Sequence, residues 1–177
     1  MHKLFISTII AIFSISSLSN AQSADKHFEG AFVGADIGLE DSGDFYYGGA
    51  LGYRFQGETN IVFGVEGTFG DLTTSATVGN ISENIGNVWS ATGILGFAFG
   101  DENRNLVSIN AGYGELDITR RTNGAVSDSA SFGGFRGSFG YERAFKDNLS
   151  VRVQGTYQDV GDLGQAYIGT VGVLFKF

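Results

Sequence analysis

Residues 167–177 read YIGTVGVLFKF, and this stretch decides the fold. Its large side chains occupy every second position, as Tyr167, Val171, Val173, Phe175 and Phe177. Successive residues of a β-strand point to opposite sides of the sheet, so strict alternation gathers these side chains on one face. The stretch therefore predicts a β-strand with one strongly apolar face.

The same alternation recurs in seven earlier segments. Together the predicted strands are 30–39, 45–55, 61–70, 89–99, 107–114, 135–145, 149–157 and 167–177. The 28 glycines disfavour helices, because a glycine in a helix interior costs about 1 kcal/mol relative to alanine. Tilted strands need about 9–11 residues to cross a bilayer. The pattern predicts an all-β chain whose eight strands cross a membrane.

The two faces of these strands differ in a way that separates a membrane barrel from a soluble one. One face carries Phe, Tyr, Val, Leu and Ile in each strand, and the other carries Gly, Ser and Thr. The second face also holds charged residues, namely Asp36, Arg54, Glu66, Arg136, Glu142 and Arg152. A soluble barrel such as a lipocalin would bury its apolar face and expose the charges. A large exposed apolar face suits lipid instead, so we predict an eight-stranded antiparallel up-and-down transmembrane β-barrel.

The charged face would then line a narrow lumen. Buried charges are costly unless they are paired, and the three acidic and three basic residues balance in sign. An eight-stranded interior is only just wide enough for its side chains. We therefore expect a salt-bridged plug, with a gated ion path along the same charges as the alternative.

The N-terminus has the pattern of a secretory signal peptide. His2 and Lys3 precede an apolar run from Leu4 to Leu18, and small residues at the −3 and −1 positions end the segment at Ala21. A run of roughly 15 residues is short for a membrane-spanning helix. We expect residues 1–21 to be removed on export and residues 22–177 to form the barrel.

The connections predict which end of the barrel faces outward. Residues 56–60, 100–105 and 146–148 are tight polar turns, whereas 73–86 and 119–130 are longer and rich in Ser, Thr, Asn and Gly. Bacterial barrels have short periplasmic turns and longer extracellular loops. The two long connections are therefore expected to be surface loops that meet external ligands.

The last strand closely resembles the C-terminal signature by which bacterial outer-membrane proteins are recognised for assembly, with a terminal Phe preceded by aromatic or apolar residues at alternate positions. The chain from Phe28 to Phe177 resembles the small OmpA-like and opacity-type barrels of the porin family. The resemblance implies a location in the outer membrane. It also implies contact with membrane lipid, lipopolysaccharide and the outer-membrane assembly machinery.

Residues for catalysis are scarce. The histidines are His2, within the signal segment, and His27, before the first strand, so no strand or loop histidine is available as a general base. There is no cysteine, and a net charge of −8 disfavours nucleic acid. We expect no enzymatic activity, cofactor or metal. The sequence favours a structural and surface-interaction anchor, with a small porin-like channel as the alternative.

Overall fold

The computed structural model describes residues 26–73, 75–78, 81–122, 125–161 and 164–177. These residues form a single antiparallel sheet. Its strands are β1 (Gly30–Glu40), β2 (Phe45–Gln56), β3 (Ile61–Leu72), β4 (Ser75–Val78), β5 (Ile81–Phe99), β6 (Asn105–Thr122), β7 (Ala125–Lys146), β8 (Leu149–Asp159) and β9 (Gln165–Lys176). The predicted signal peptide, 1–21, lies outside the described residues. No helix in the described segments is long and apolar enough to cross a membrane.

The sheet closes on itself as predicted. Apart from β3 and β4, strands that are neighbours in sequence pair with each other, β1 pairs with β9, and β3 pairs directly with β5. The short strand β4 pairs with β5 beyond the end of β3 and takes no part in closure. The result is a closed barrel of eight antiparallel strands with up-and-down topology. Closure satisfies the backbone hydrogen bonds that an open sheet would leave unpaired in lipid.

The outer surface of the barrel is an apolar band. Large side chains point outward at alternate positions of every long strand, and Leu51, Val65, Phe69 and Phe139 are each 60% exposed or more. Aromatic side chains near the strand ends contact one another, as in the Trp89–Tyr113 and Tyr157–Tyr167 pairs. Such an apolar band with aromatic residues near its edges is typical of transmembrane barrels.

The two ends of the barrel differ. At one end, which we call the short-turn end, β2–β3, β5–β6 and β7–β8 are joined by residues 57–60, 100–104 and 147–148. The first of these turns places Asn60 in the left-handed region, at φ 63°, and Gly57 N donates to Ile61 O at 2.8 Å. The opposite end carries the β4–β5 and β6–β7 connections, and we call it the hairpin end.

The prediction that 73–86 and 119–130 are loops was wrong. Most of these residues lie in two β-hairpins, since β5 begins at Ile81 and the β6–β7 ladder reaches the Thr122–Ala125 pair. The hairpins join through β5 and β6 into a sheet that continues past the barrel, which we call the blade. The sequence prediction missed these strands because it required an alternating apolar face, and the residues of the blade are mostly polar. Paired backbones with residues of high β-propensity, such as Thr, Ile and Val, can form strands without a continuous apolar face.

A candidate functional site in the barrel interior

The six charged residues predicted to line the lumen all point inward. Asp36, Arg54, Glu66, Arg136, Glu142 and Arg152 are each 6% exposed or less. They come from β1, β2, β3, β7 and β8, and alternation brings them into one interior. A charge held in such an interior must find partners, because desolvation costs several kcal/mol per ion.

Arg152 forms the centre of the first ion cluster. Its Nη2 donates to Asp36 Oδ2 at 2.8 Å, and its Nη1 donates to Glu66 Oε2. Strand β9 lies between β8 and β1, and Gly172 is the register partner of both Arg152 and Asp36. A Cβ at position 172 would overlap Asp36 Oδ1, so only glycine leaves room for this pair to meet across β9.

A second ion cluster lies towards the short-turn end. Arg54 Nη1 donates to Glu142 Oε2 at 2.8 Å, and Ser150 Oγ donates to Glu142 Oε1 at 2.5 Å. The Arg54 guanidinium also lies 4.2 Å from the centre of the Phe32 ring, within the range of a cation–π interaction. Both partners of the pair thus have additional contacts that offset their burial.

Arg136 differs from the other two arginines because it forms no salt bridge with a carboxylate of the described residues. Its Nη1 donates to Gln158 Oε1 at 3.2 Å. Gln158 Nε2 in turn donates to the carbonyl oxygens of Gly114 and Asp159, at 3.0 and 2.8 Å. The surplus negative charge of the Arg152 cluster balances Arg136 across the interior, so the six residues are neutral together.

Three apolar layers separate or enclose these charges, and the sequence analysis missed them. The layer at the hairpin end comprises Tyr46, Leu72, Val88, Leu116, Val160 and Ile168. The layer at the short-turn end comprises Phe28, Val62, Ala98, Leu106 and Ala144. A third group between the two ends comprises Phe32, Ile94 and Leu174. The signal was present as apolar residues on the polar face, but they are interspersed among Gly, Ser and Thr.

The lumen is consequently filled. One interior cavity beside Arg136 and another beside Arg54 each have a volume of about 10 Å³. A volume of about 10–15 Å³ holds a single water molecule. Hydroxyl pairs between neighbouring strands, Thr68 with Ser90 at 2.7 Å and Ser138 with Thr156 at 3.0 Å, occupy further space.

Residues for chemistry are few in the described segments. No group of three or more His, Asp, Glu or Cys residues there is arranged to hold a metal ion. His27 is buried at the short-turn end, with Nδ1 3.5 Å from Asp147 Oδ1. No serine, threonine or further histidine of the described residues forms a hydrogen bond with it. Neither a metal site nor a nucleophile–base pair is therefore built around this histidine.

The predicted assembly residues lie together on the outer face of β9. Val171, Val173, Phe175 and Phe177 are each about half exposed towards the position of lipid, and Tyr167 contacts Tyr157. Phe177 N donates to Ala31 O at 2.9 Å, which fastens the end of the chain to the first strand. The residues of the signature thus form part of the seam at which the barrel closes.

Comparison with known proteins places this architecture in a family. The family model of the outer membrane protein beta-barrel domain matches residues 8–177. No curated protein sequence matches the chain significantly.

Several solved structures share the fold at low sequence identity. The N-terminal β-barrel domain of Pseudomonas aeruginosa OprF has a TM-score of 0.61 at 17% identity, covering 84% of this chain and 98% of that one. Ail, the attachment invasion locus protein of Yersinia pestis, has a TM-score of 0.59 at 17% identity, covering 84% and 99%. The outer membrane enzyme PagL has a TM-score of 0.53 at 16% identity, covering 82% and 99%. Because the family model spans most of the sequence and the barrel closes with eight strands, this chain belongs to the outer membrane protein β-barrel family.

Proposed function

We propose that the protein is a structural anchor of the outer membrane whose sealed barrel displays the blade outside the cell. The observation that carries the proposal is the filling of the lumen at several levels by apolar layers and ion clusters. Opening a path would require displacement of Tyr46 and Leu106, together with separation of buried ion pairs. Separating a buried pair is costly because each charge loses its partner in a poorly solvated interior.

The blade is the part of the molecule best suited to meet a partner. Strand β7 pairs with β8 only from Arg136 onward, so its residues 125–134 continue along β6 beyond the barrel. In the same way, β4 pairs with β5 beyond β3. A rigid sheet holds its surface in a defined position, which lowers the entropy lost on binding relative to a flexible loop.

The charge of the hairpin end limits the chemistry of that partner. Acidic residues there include Glu40, Asp41, Asp44, Asp71, Glu115, Asp117, Asp128 and Asp159. Among the described residues of this end, only Arg120 and Arg121 are basic. Ail was solved in complex with the heparin analogue sucrose octasulfate. The acidic surface here disfavours a polyanion of that kind and favours a neutral or cationic partner.

The proposal includes the route to the membrane. Residues 1–21 direct export and are removed, and the alternating C-terminal residues from Tyr167 to Phe177 bind the outer-membrane assembly machinery. The short-turn end faces the periplasm, and lipid and lipopolysaccharide cover the apolar band. The proposal includes no catalytic role, because no serine or threonine of the described residues is hydrogen-bonded to His27, and Ser150, which lines the same small cavity, donates to Glu142 instead.

A small or gated channel is the second candidate. It is favoured by Arg136, which faces a polar cavity and forms no salt bridge with a carboxylate of the described residues. Single-channel conductance of the protein in a planar bilayer separates the two functions. We expect no steps from the unmodified protein, and steady ion-selective steps would overturn the sealed anchor.

The variant Arg54→Ala/Glu66→Ala extends this experiment to the ion clusters. Each substitution removes one partner from a different cluster, since Arg54 pairs with Glu142 and Glu66 with Arg152. Steps confined to the variant support a seal in which the charges take part. Silence of both proteins supports a seal made by the apolar layers alone.

The orientation of the barrel in the membrane is tested by cysteine labelling of intact cells. Because the chain has no native cysteine, only the introduced cysteine can react. Ser129, in the blade, and Glu58, in the β2–β3 turn, are both exposed. We expect a membrane-impermeant maleimide to label Ser129→Cys in intact cells and Glu58→Cys only after the outer membrane is permeabilised. The reverse pattern would refute the display of the blade on the outside.

A further inference from the structure

The segment before β1 closes the short-turn end of the barrel. Phe28 is 2% exposed and packs in the apolar layer with Val62, Ala98, Leu106 and Ala144. Its backbone N donates to Gln56 Oε1 at 3.0 Å, and Lys176 Nζ donates to Lys26 O at 3.3 Å. We call residues 26–29 the stopper, because they lie across the mouth of the barrel and bury one aromatic ring within it.

His27 lies within the stopper in an environment that suits only its neutral form. The residue is 6% exposed, and its Nε2 is buried without a hydrogen-bond partner in the described residues. A neutral imidazole can leave that nitrogen as an unprotonated acceptor, whereas an imidazolium would place a charged N–H there with no acceptor. Burial of an unpaired charged donor is strongly unfavourable.

Charged groups from several elements face this imidazole. Lys176 of β9, Arg104 and Glu102 of the β5–β6 turn, and Asp147 of the β7–β8 turn surround it. Burial lowers the pKa of His27, Arg104 and Lys176 lower it further, and Asp147 and Glu102 raise it by less. Asp147 is the closest acidic partner, at 3.5 Å, but its side chain is 89% exposed to solvent, which weakens its attraction.

We propose that the stopper is an acid-sensitive device, in which protonation of His27 releases residues 26–29 from the barrel mouth. Once the segment is free in water, His27 regains an ordinary pKa of about 6.5. Below that pH the released state binds more protons than the closed state, so falling pH favours release. The ratio of released to closed stopper rises by up to about tenfold per pH unit until the pH reaches the pKa of the closed state.

Release has a defined structural consequence. The small cavity beneath the stopper is lined by His27, Phe28, Arg54, Glu142 and Ser150 among others. Removal of Phe28 brings water to the Arg54–Glu142 pair and weakens their attraction. The Arg152 cluster and the hairpin-end layer lie farther along the lumen, so the device alters hydration of the lower interior and does not by itself open a channel.

Amide hydrogen exchange of the protein in detergent micelles tests this proposal, with rates corrected for the intrinsic effect of pH. Between pH 8 and pH 5 we expect the amide of Phe28, which donates to Gln56 Oε1, to lose protection while the amides of β1 and β9 keep it. In His27→Gln, which cannot titrate, protection should persist at pH 5. Unchanged protection in the unmodified protein, or an equal loss in His27→Gln, overturns the proposal.

Arg104→Gln provides an independent readout that keeps His27 in place. Arg104 is partly exposed and binds Glu102, so its removal leaves the stopper's own contacts intact. Loss of this cation raises the pKa of His27 in the closed state, so the closed stopper tolerates the proton better and the midpoint of release should move to lower pH. A midpoint that stays in place, or moves to higher pH, contradicts control by His27 even if glutamine at position 27 fails to hold the segment closed.

Discussion

Substitution of Arg152 by methionine is the most demanding test of the interior described above. The change removes the guanidinium that binds both Asp36 and Glu66, while retaining much of the side-chain volume. Both carboxylates are 5% exposed or less, so water cannot replace the lost partner without rearrangement of the barrel. The variant therefore leaves two like charges facing each other in a confined space.

The expected loss of stability is large. Removing one partner of a buried ion pair costs about 3–5 kcal/mol. Two carboxylates roughly 5 Å apart repel by about 3 kcal/mol at an effective dielectric constant of about 20, so repulsion accounts for much of that loss. Neutralising both acids as well, in Asp36→Asn/Glu66→Gln/Arg152→Met, should recover at least about half of it, because a neutral set avoids the desolvation cost of charge.

Urea unfolding of the protein in micelles measures these changes. Trp89 is the one tryptophan of the sequence and lies on the lipid-facing side, so its fluorescence reports loss of the barrel. Arg143→Met is the matched control, since Arg143 is exposed and should change stability by no more than about 0.5 kcal/mol. A triple variant no more stable than Arg152→Met would refute the view that uncompensated charge is the cause.

Three further predictions follow from individual positions. Gly172→Val should destabilise the barrel by about 3 kcal/mol in the same assay, because the valine side chain separates a buried ion pair. Gly155→Val is the control and should be tolerated, because a Cβ at position 155 would meet nothing within 4 Å. Leu106→Ala should cost about 2–5 kcal/mol, since Leu106 is 1% exposed in the short-turn layer, and a loss below this range would show that the layer is poorly packed. Phe177→Ser should reduce the folded, heat-modifiable fraction of the protein in outer membranes. Phe97→Ser, the control, changes an equally lipid-exposed site outside the C-terminal strand and should leave that fraction unchanged. Equal losses in the two variants would argue against a terminal assembly signal.

The stability of the lumen depends on glycine as much as on charge. Arg152 and Asp36 belong to β8 and β1 and are separated by β9. Their side chains meet because position 172, between them, has no side chain to intervene. Inward-facing glycines also leave space for the bulky inward side chains beside them. These side chains fill that space, so a barrel of this size has little free volume.

Alternation along each strand determined the barrel, its lipid-facing side and the inward direction of all six charged residues from sequence alone. A period of two assigns every residue of a strand to one of two faces without knowledge of its neighbours. The same local rule failed at the blade. There, the sequence is mostly polar, and strands lie within 73–86 and 119–130 because paired backbones, rather than an apolar face, stabilise them.

What the tertiary structure alone decided is which inward residues meet. The partners Arg54 and Glu142 are 88 residues apart, and Arg152 and Asp36 are 116 residues apart, so their pairing depends on register around the closed sheet. Closure also stacked Val62 and Leu106, with Phe28 from the segment before β1, into one apolar layer at the short-turn end, although each of them reads in sequence as an isolated residue. Sequence fixes the face on which a side chain lies, but contact in a barrel is set by closure, which brings together residues that no local pattern connects.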